Sequence, residues 1–263
     1  MRILGIDLAA QPRNTGIVLL EPELEAELES AGNQPSDRRW RAVSPPEAAT
    51  DEHLVDLGVA VDLIGVDAPL GWPIAFVDAV RAHEDRRPWP GTKDRRALTH
   101  RHTDDVVRDH GRGHPMSASA DLLGHVAMRC ALLQRDWAGK WGEAANRDGS
   151  GRLVEVYPAS ALRAWRLPER GYKGRSAEAG RARATIFDGL RGGTSRWLDA
   201  APIRSACIDS DHILDAFVSA LAALAAHRGL THRPSTVEDH HCAVLEGWIH
   251  VPSVPLSGVS PTG

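Results

Sequence analysis

Apolar positions along the first seventy residues come in short β-branched runs, and later they recur at helical spacing. RILGID (2–7) reads as a strand ending in Asp7. The turn-rich AAQPRNTG follows, and TGIVLLE returns as the second arm of a hairpin. RRWRAVS (38–44) is a third strand, reached through an acidic link whose Glu-Leu alternation, ELEAELES, suits a strand or a short helix. SPPEAATDEHLVDLG places prolines and then acids in a first turn, which predicts a helix. VDLIGVDAP is hydrophobic enough for a strand buried on both faces and delivers Asp67 at its end. Residues 71–116 mix proline, glycine, charge and two tryptophans, and they are expected to form a partly helical insertion or cap over a site. SASADLLGHVAMRCALLQRDW predicts a long amphipathic helix, and GRLVEVYP a fifth strand carrying Glu155. PASALRAW and SAEAGRARATIFDGL predict two more helices. DSDHILDAFVSALAALAAHRG has the strongest helical period in the chain and is closed by Gly229. The tail VEDHHCAVLEGWIHVP is expected to pack back onto the body.

Three strands, a helix, and then strands alternating with helices give the order βββαβαβα. That order predicts an α/β chain, one domain over 1–263, with a mixed five-stranded sheet flanked by helices and an insertion after strand four. The pattern is compatible with a ribonuclease H-like fold, and actin-like kinases begin in the same way.

Composition narrows the class. Hydrophobic residues at 42% and charged residues at 25% exclude a fibrous or wholly disordered chain. No apolar run approaches the ~20 residues that span a bilayer, so no membrane partner is expected. The opening MRILGIDLAA carries an arginine and an acid within seven residues and lacks the apolar core of a signal peptide, which predicts a cytoplasmic protein. Cys130, Cys207 and Cys242 show no CxxC spacing and are expected to be reduced. The net charge of -4 hides an asymmetry: residues 1–62 hold five Lys/Arg against twelve Asp/Glu, whereas 152–196 hold ten against four. The basic section either faces a polyanion or is a solvated arginine-rich surface.

The acids carry the candidate chemistry. Asp7 ends strand one, Asp67 ends strand four and Glu155 lies inside strand five, so in a mixed sheet their carboxylates can meet at one edge. Each alone also fits a turn or helix cap. Glu155 is the anomaly, because LVEVY surrounds it with apolar neighbours and burying an unpaired carboxylate costs several kcal/mol. On the last long helix, Ile213, Leu214, Phe217, Val218, Leu221 and Leu224 form an apolar arc suited to packing on a sheet. Asp211 and Asp215 share another side with Ser219, Ala222 and Ala226, a combination that suits a covered face or a cleft. A first-turn position explains Asp211 through the helix dipole, but Asp215 lies beyond that account. Carboxylates without histidine partners on the same elements are hard oxygen ligands, which favours Mg²⁺ or Mn²⁺ as cofactor.

GIDLAAQPRNTG, IGVDAPLGWP, RHTDD, VEVYPASALRAW followed by GYKGR, SDHILDAFVSAL and EGWIHVP form an ordered set over nearly the whole chain. Together they resemble the domain-of-unknown-function 429 family, described as predicted nucleases of the ribonuclease H-like fold. That resemblance implies an acidic metal site built from Asp7, Asp67 and Asp215 with Asp211, and it leaves open which helix acid is the ligand. His212 directly after Asp211 is a departure from the pattern. With Glu155 added, the candidate catalytic set is Asp7, Asp67, Glu155 and Asp215.

RHTDD offers Arg101 as a phosphate-binding group with Asp104 as orienter, or a turn in which Thr103 caps a helix. Lys173 and Arg175, with Arg163, are candidates to line the same approach. Trp72 and Trp89 sit in the cap, where stacking on a base and plain packing are both open. The leading expectation is a metal-dependent nuclease or phosphodiesterase acting on DNA or RNA. The alternatives are an actin-like nucleotide-binding ATPase or kinase, and a non-catalytic nucleic-acid-binding module of the same fold.

Overall fold

The computed structural model describes residues 1–23, 39–89, 95–120 and 123–261. Beyond Glu23, the Glu-Leu segment lies outside the described residues. Strand β1 (Ile3–Asp7) pairs antiparallel with β2 (Gly16–Pro22), and β2 pairs antiparallel with β3 (Trp40–Val43). On its other side β1 runs parallel to β4 (Leu63–Asp67), which runs parallel to β5 (Leu153–Glu155). Among the described residues the sheet has six strands in the order β5-β4-β1-β2-β3-β6, not the expected five. The sixth, β6 (Leu198–Asp199), contributes only two residues beside Trp40 and Arg41 of β3. Two residues cannot display a period of two, so their pairing follows from tertiary contact and not from pattern.

Side chains on successive strand residues point to opposite faces. Leu4, Ile6, Ile17, Leu19, Ile64, Val66 and Leu153 face one layer, formed by α1 (Asp51–Ala60) and α5 (Leu123–Trp141) with its buried Cys130, Leu133 and Trp137. The indole N–H of Trp137 donates to the Leu54 carbonyl at 3.0 Å and ties these two helices together. Helix α1 begins at Asp51, not at the prolines. Thr50 accepts a hydrogen bond from the His53 N–H at 3.2 Å and two acids follow it, whereas Pro45 and Pro46 supply no such cap.

On the opposite face Ile3, Val18, Leu20, Leu63 and Val154 meet α7 (Ala177–Thr194) and α9 (Asp211–His227). The large apolar arc of α9 was expected to lie on the sheet, but the strip over β1 and β4 is made of small residues. A Cβ placed on Gly5 would run into the Ala216 carbonyl and Ala220, and one on Gly65 into the Ser219 carbonyl and Ala223. Glycine in both strands therefore lets the helix backbone settle directly onto the sheet. Phe217, on the arc, instead packs against Phe187 of α7 with ring centroids 6.0 Å apart. Gly229, at φ +72, ends α9 as expected.

The segment after β4 is mostly helical: α2 (Ile74–Glu84), α3 (Arg96–Thr99) and α4 (His102–Asp109). Helix α6 (Pro158–Ala164) follows β5, α8 (Arg204–Asp209) precedes α9, and α10 (Val237–Glu246) lies in the tail. The tail does pack back. Glu246 accepts the Ile74 N–H at 2.7 Å and the His102 N–H at 2.6 Å, so one carboxylate caps the first residues of both α2 and α4. Among the described residues no helix is long and apolar enough to cross a membrane.

Candidate active site

Asp7 and Asp67 are register partners at the ends of two neighbouring parallel strands, so their side chains lie side by side on one face. Counting back by twos through Gly5 and Gly65, that face is the one covered by α9. Asp215 stands in the second turn of α9, is 0% exposed and completes an acidic centre at this edge. The geometry follows from the glycines: a helix seated that close to the strands brings its own carboxylate down to theirs.

The three acids are unequally served. Asp215 accepts the Tyr172 hydroxyl at 3.0 Å and is ion-paired with the Lys173 ammonium. Asp7 Oδ2 meets Nδ1 of His212 at 2.6 Å. Asp67, partly buried, has no hydrogen-bond donor among the described residues. Burial raises its pKa well above the usual carboxylate range, Asp7 and Asp215 add to the rise, and Lys173 opposes it. Burial likewise lifts Asp215 to about 7 against the pull of Lys173. His212 is raised chiefly by its hydrogen bond to Asp7, with desolvation opposing. Desolvation works against the Lys173 charge, but Asp215 and Asp7 outweigh it and the ammonium is held charged.

Glu155 goes elsewhere. Its register partner Val66 faces the α1/α5 layer, so Glu155 leaves the sheet on the side away from Asp7 and Asp67. There it is gripped by Arg101, Nη2 to Oε1 at 2.6 Å and Nη1 to Oε2 at 2.8 Å, and it also accepts the Leu70 N–H at 3.1 Å. Arg101 also binds Asp104, with Nη2 to Oδ1 at 2.9 Å, and the Arg101 N–H donates to Asp104 Oδ2 at 2.8 Å. Gly247, at φ +96, passes so close that a side chain there would strike Glu155 and Arg101. Burial raises the Glu155 pKa and the guanidinium opposes it.

Both groups border a cleft of about 340 Å³, whose lining includes Asp7, Asp67, Tyr157, Tyr172, Lys173 and Met116. Of the residues singled out in the sequence, Asp7, Asp67, Asp215 and Lys173 come together. Asp211 sits one turn earlier on α9 and accepts the Gly174 N–H at 3.1 Å, which anchors the loop that carries Lys173. Arg101, Asp104 and Glu155 form the separate buried network beside the cleft. Thr103 accepts the Ile249 N–H at 2.9 Å, and Arg175 is exposed outside the cleft lining. Arg163 also lies outside it, between the Gly111 carbonyl and Glu169. Neither Trp72 nor Trp89 lines the cleft.

Sequence reading missed Tyr172 and the role of His212. The glycine-flanked GYKGR was a usable signal, because it places an aromatic hydroxyl beside a lysine in a loop that has room to approach α9. Arg129 was missed as well. From α5 it donates to the Ala9 carbonyl and to Thr15 at 2.6 Å each, and it fixes the turn that follows Asp7.

Asp7, Asp67 and Asp215 fit a hard divalent cation by donor chemistry, since all are oxygen ligands and one is unpaired. Among the described residues no three acidic, histidine or cysteine side chains are gathered into a finished metal cage, and the positive charge in contact with Asp215 is the Lys173 ammonium. Lys173 is 55% exposed, which gives its long side chain room to turn away.

The family model described as a protein of unknown function, DUF429, matches residues 5–239. No curated protein and no solved structure matches the chain.

Proposed function

Since the chain belongs to the DUF429 family, whose description assigns no activity, we propose from the site that the cleft hydrolyses phosphodiester bonds of a nucleic acid with the help of Mg²⁺ or Mn²⁺. The reading rests on one observation: three carboxylates share a sheet edge, and Asp67 has no donor among the described residues. Partly buried acids are normally bonded, and one left unserved among like charges suits a ligand that brings positive charge. Asp7, Asp67 and Asp215 would hold the cation, which when bound supplies a water of lowered pKa and charge neutralisation at the leaving oxygen.

The remaining groups then have separate tasks. Tyr172 holds Asp215 in orientation through its hydroxyl. His212 steadies Asp7 through Nδ1, which leaves Nε2 as the ring nitrogen to take up or release a proton. Lys173, released from Asp215, offers its ammonium to a phosphate oxygen. Tyr157 and Met116 border the cleft and restrict water. Ribonuclease H-like ancestry belongs to this proposal, with the βββαβαβα order as its support.

The Lys173–Asp215 contact also favours a second reading, in which the ammonium fills the acidic centre permanently and the protein binds nucleic acid without cutting it. Cleavage assays on single-stranded, duplex and branched DNA and RNA, titrated with Mg²⁺ and Mn²⁺, separate the two. The nuclease reading expects cation-dependent cleavage that falls at least about 100-fold in Asp67→Asn. Cleavage unchanged by that substitution sinks the site, and binding without cleavage at any cation concentration supports the second reading.

A further inference from the structure

Helix α6 also borders another cavity, of about 480 Å³, lined by Arg112, Ser160, Arg163, Trp165, Arg166 and His232. Its remaining wall is largely apolar, with Val251, Pro252, Val254 and Pro255 around Ser253. The same short helix thus presents Ala159 to the cleft, and Ser160 and Arg163 to the cavity.

The charges here are unbalanced. Arg163 is bonded to the Gly111 carbonyl and to Glu169, each at 2.7 Å. The side chains of Arg112, Arg166 and His232, by contrast, have no hydrogen-bond or ion-pair partner among the described residues. Among the described residues no acid lines the cavity. Burial lowers the Arg112 pKa, and burial, Arg112 and His110 together disfavour the charged form of His232. Trp165 is buried, and its indole N–H finds no acceptor among the described residues. Arg166 follows α6 at φ +59, where glycine is the ordinary residue. The chain keeps a guanidinium at a position that an uncharged glycine would occupy with less strain.

We propose that this cavity binds a nucleotide, its phosphate between Arg112 and Arg166 and its base on the Val251–Pro255 wall. Two guanidinium groups suit the phosphate oxygens, and the apolar wall suits the base. A free 5′-mononucleotide and a nucleotide within a strand carry the same chemistry. The binding uses none of the cleft acids, so it stands or falls separately from the cleavage reading.

The test is equilibrium binding of a 5′-mononucleotide and of a fluorescently labelled single-stranded hexanucleotide, with inorganic phosphate as competitor. It is run on the full chain carrying Asp67→Asn, so that cleavage does not intrude. Arg166→Gly and Arg112→Gln are each expected to weaken binding about 10-fold or more and to flatten the salt dependence by about one unit. Arg166→Gly is also expected to melt at or above the parent temperature, because glycine accepts the backbone angle, and this keeps misfolding out of the reading. Binding of the hexanucleotide alone assigns the site to a strand, and binding of both with equal sensitivity assigns it to a free nucleotide. Affinities within twofold of the parent in both variants overturn the proposal. So does failure of the parent to bind either ligand, or competition by inorganic phosphate at the concentration of the mononucleotide.

Discussion

Two clusters of acids border one cleft, and they treat their charge in opposite ways. In the Arg101 network every carboxylate oxygen of Asp104 and Glu155 accepts at least one hydrogen bond, and Arg101 is 2% exposed. In the acidic centre neither Asp67 oxygen meets a donor among the described residues, and among them Asp7 is met only at Oδ2. A saturated network holds a structure in one arrangement, whereas an unsaturated one carries electrostatic tension that a ligand can relieve.

Breaking the saturated side has the largest expected effect. Arg101→Met leaves two carboxylates buried without their cation and should cost about 3–5 kcal/mol, read as a fall in the urea midpoint. The unsaturated side should respond in reverse. Without divalent cations, and at a pH above the raised values of Asp67 and Asp215, Asp67→Asn removes one of three crowded charges and should raise stability by about 1 kcal/mol, a melting shift of roughly 2–4 °C. The sequence RILGID and IGVDAP made Asp7 and Asp67 legible as acids at strand ends, because period and punctuation are local signals. Glu155 was legible as an anomaly. Its answer, a bidentate arginine 54 positions away, was not, because pairing across that separation depends on where α4 docks.

The pH dependence sharpens the contrast. Asp67 and Asp215 are raised in the folded chain, so between the ordinary carboxylate pKa of about 4 and the native value of Asp215, about 7, the folded state holds more protons than the unfolded one. Stability is therefore expected to fall as pH rises through that window. His212, also raised, contributes in the same direction, since its stabilisation is present below its unfolded pKa and lost above the folded one. Thermal melts from pH 5 to 8 should show this decline, and Mg²⁺ should recover more at pH 8 than at pH 5. Asp239 tests the opposite sign. Burial disfavours its charge, but His102 and the Ser235 and Thr236 N–H groups overcome that and depress its pKa, so its contribution is lost only as pH falls below the usual carboxylate range. The smallest effect is expected from His212→Gln, which keeps a donor for Asp7 and removes the titration, flattening the pH slope by lowering stability slightly at pH 5 with little change at pH 8.

The sixth strand and the seating of α9 show where sequence pattern stops. Leu198–Asp199 is too short to carry a period. The helix wheel ranked the faces of α9 by apolarity, but contact with the sheet was decided by size, since Gly5 and Gly65 leave room for Ala216, Ser219 and Ala220 and for nothing larger. The same close seating carries Asp215 to the strand ends. Asp211, equally acidic in sequence, is left to anchor the Gly174 loop.

Calorimetric titration of Mn²⁺ into the wild-type chain, Asp67→Asn and Glu155→Gln, below the melting temperature of each, tests the central claim most directly. The account predicts saturable binding that is abolished in Asp67→Asn and kept in Glu155→Gln. Binding of equal strength in wild type and Asp67→Asn, or loss in Glu155→Gln alone, would contradict it.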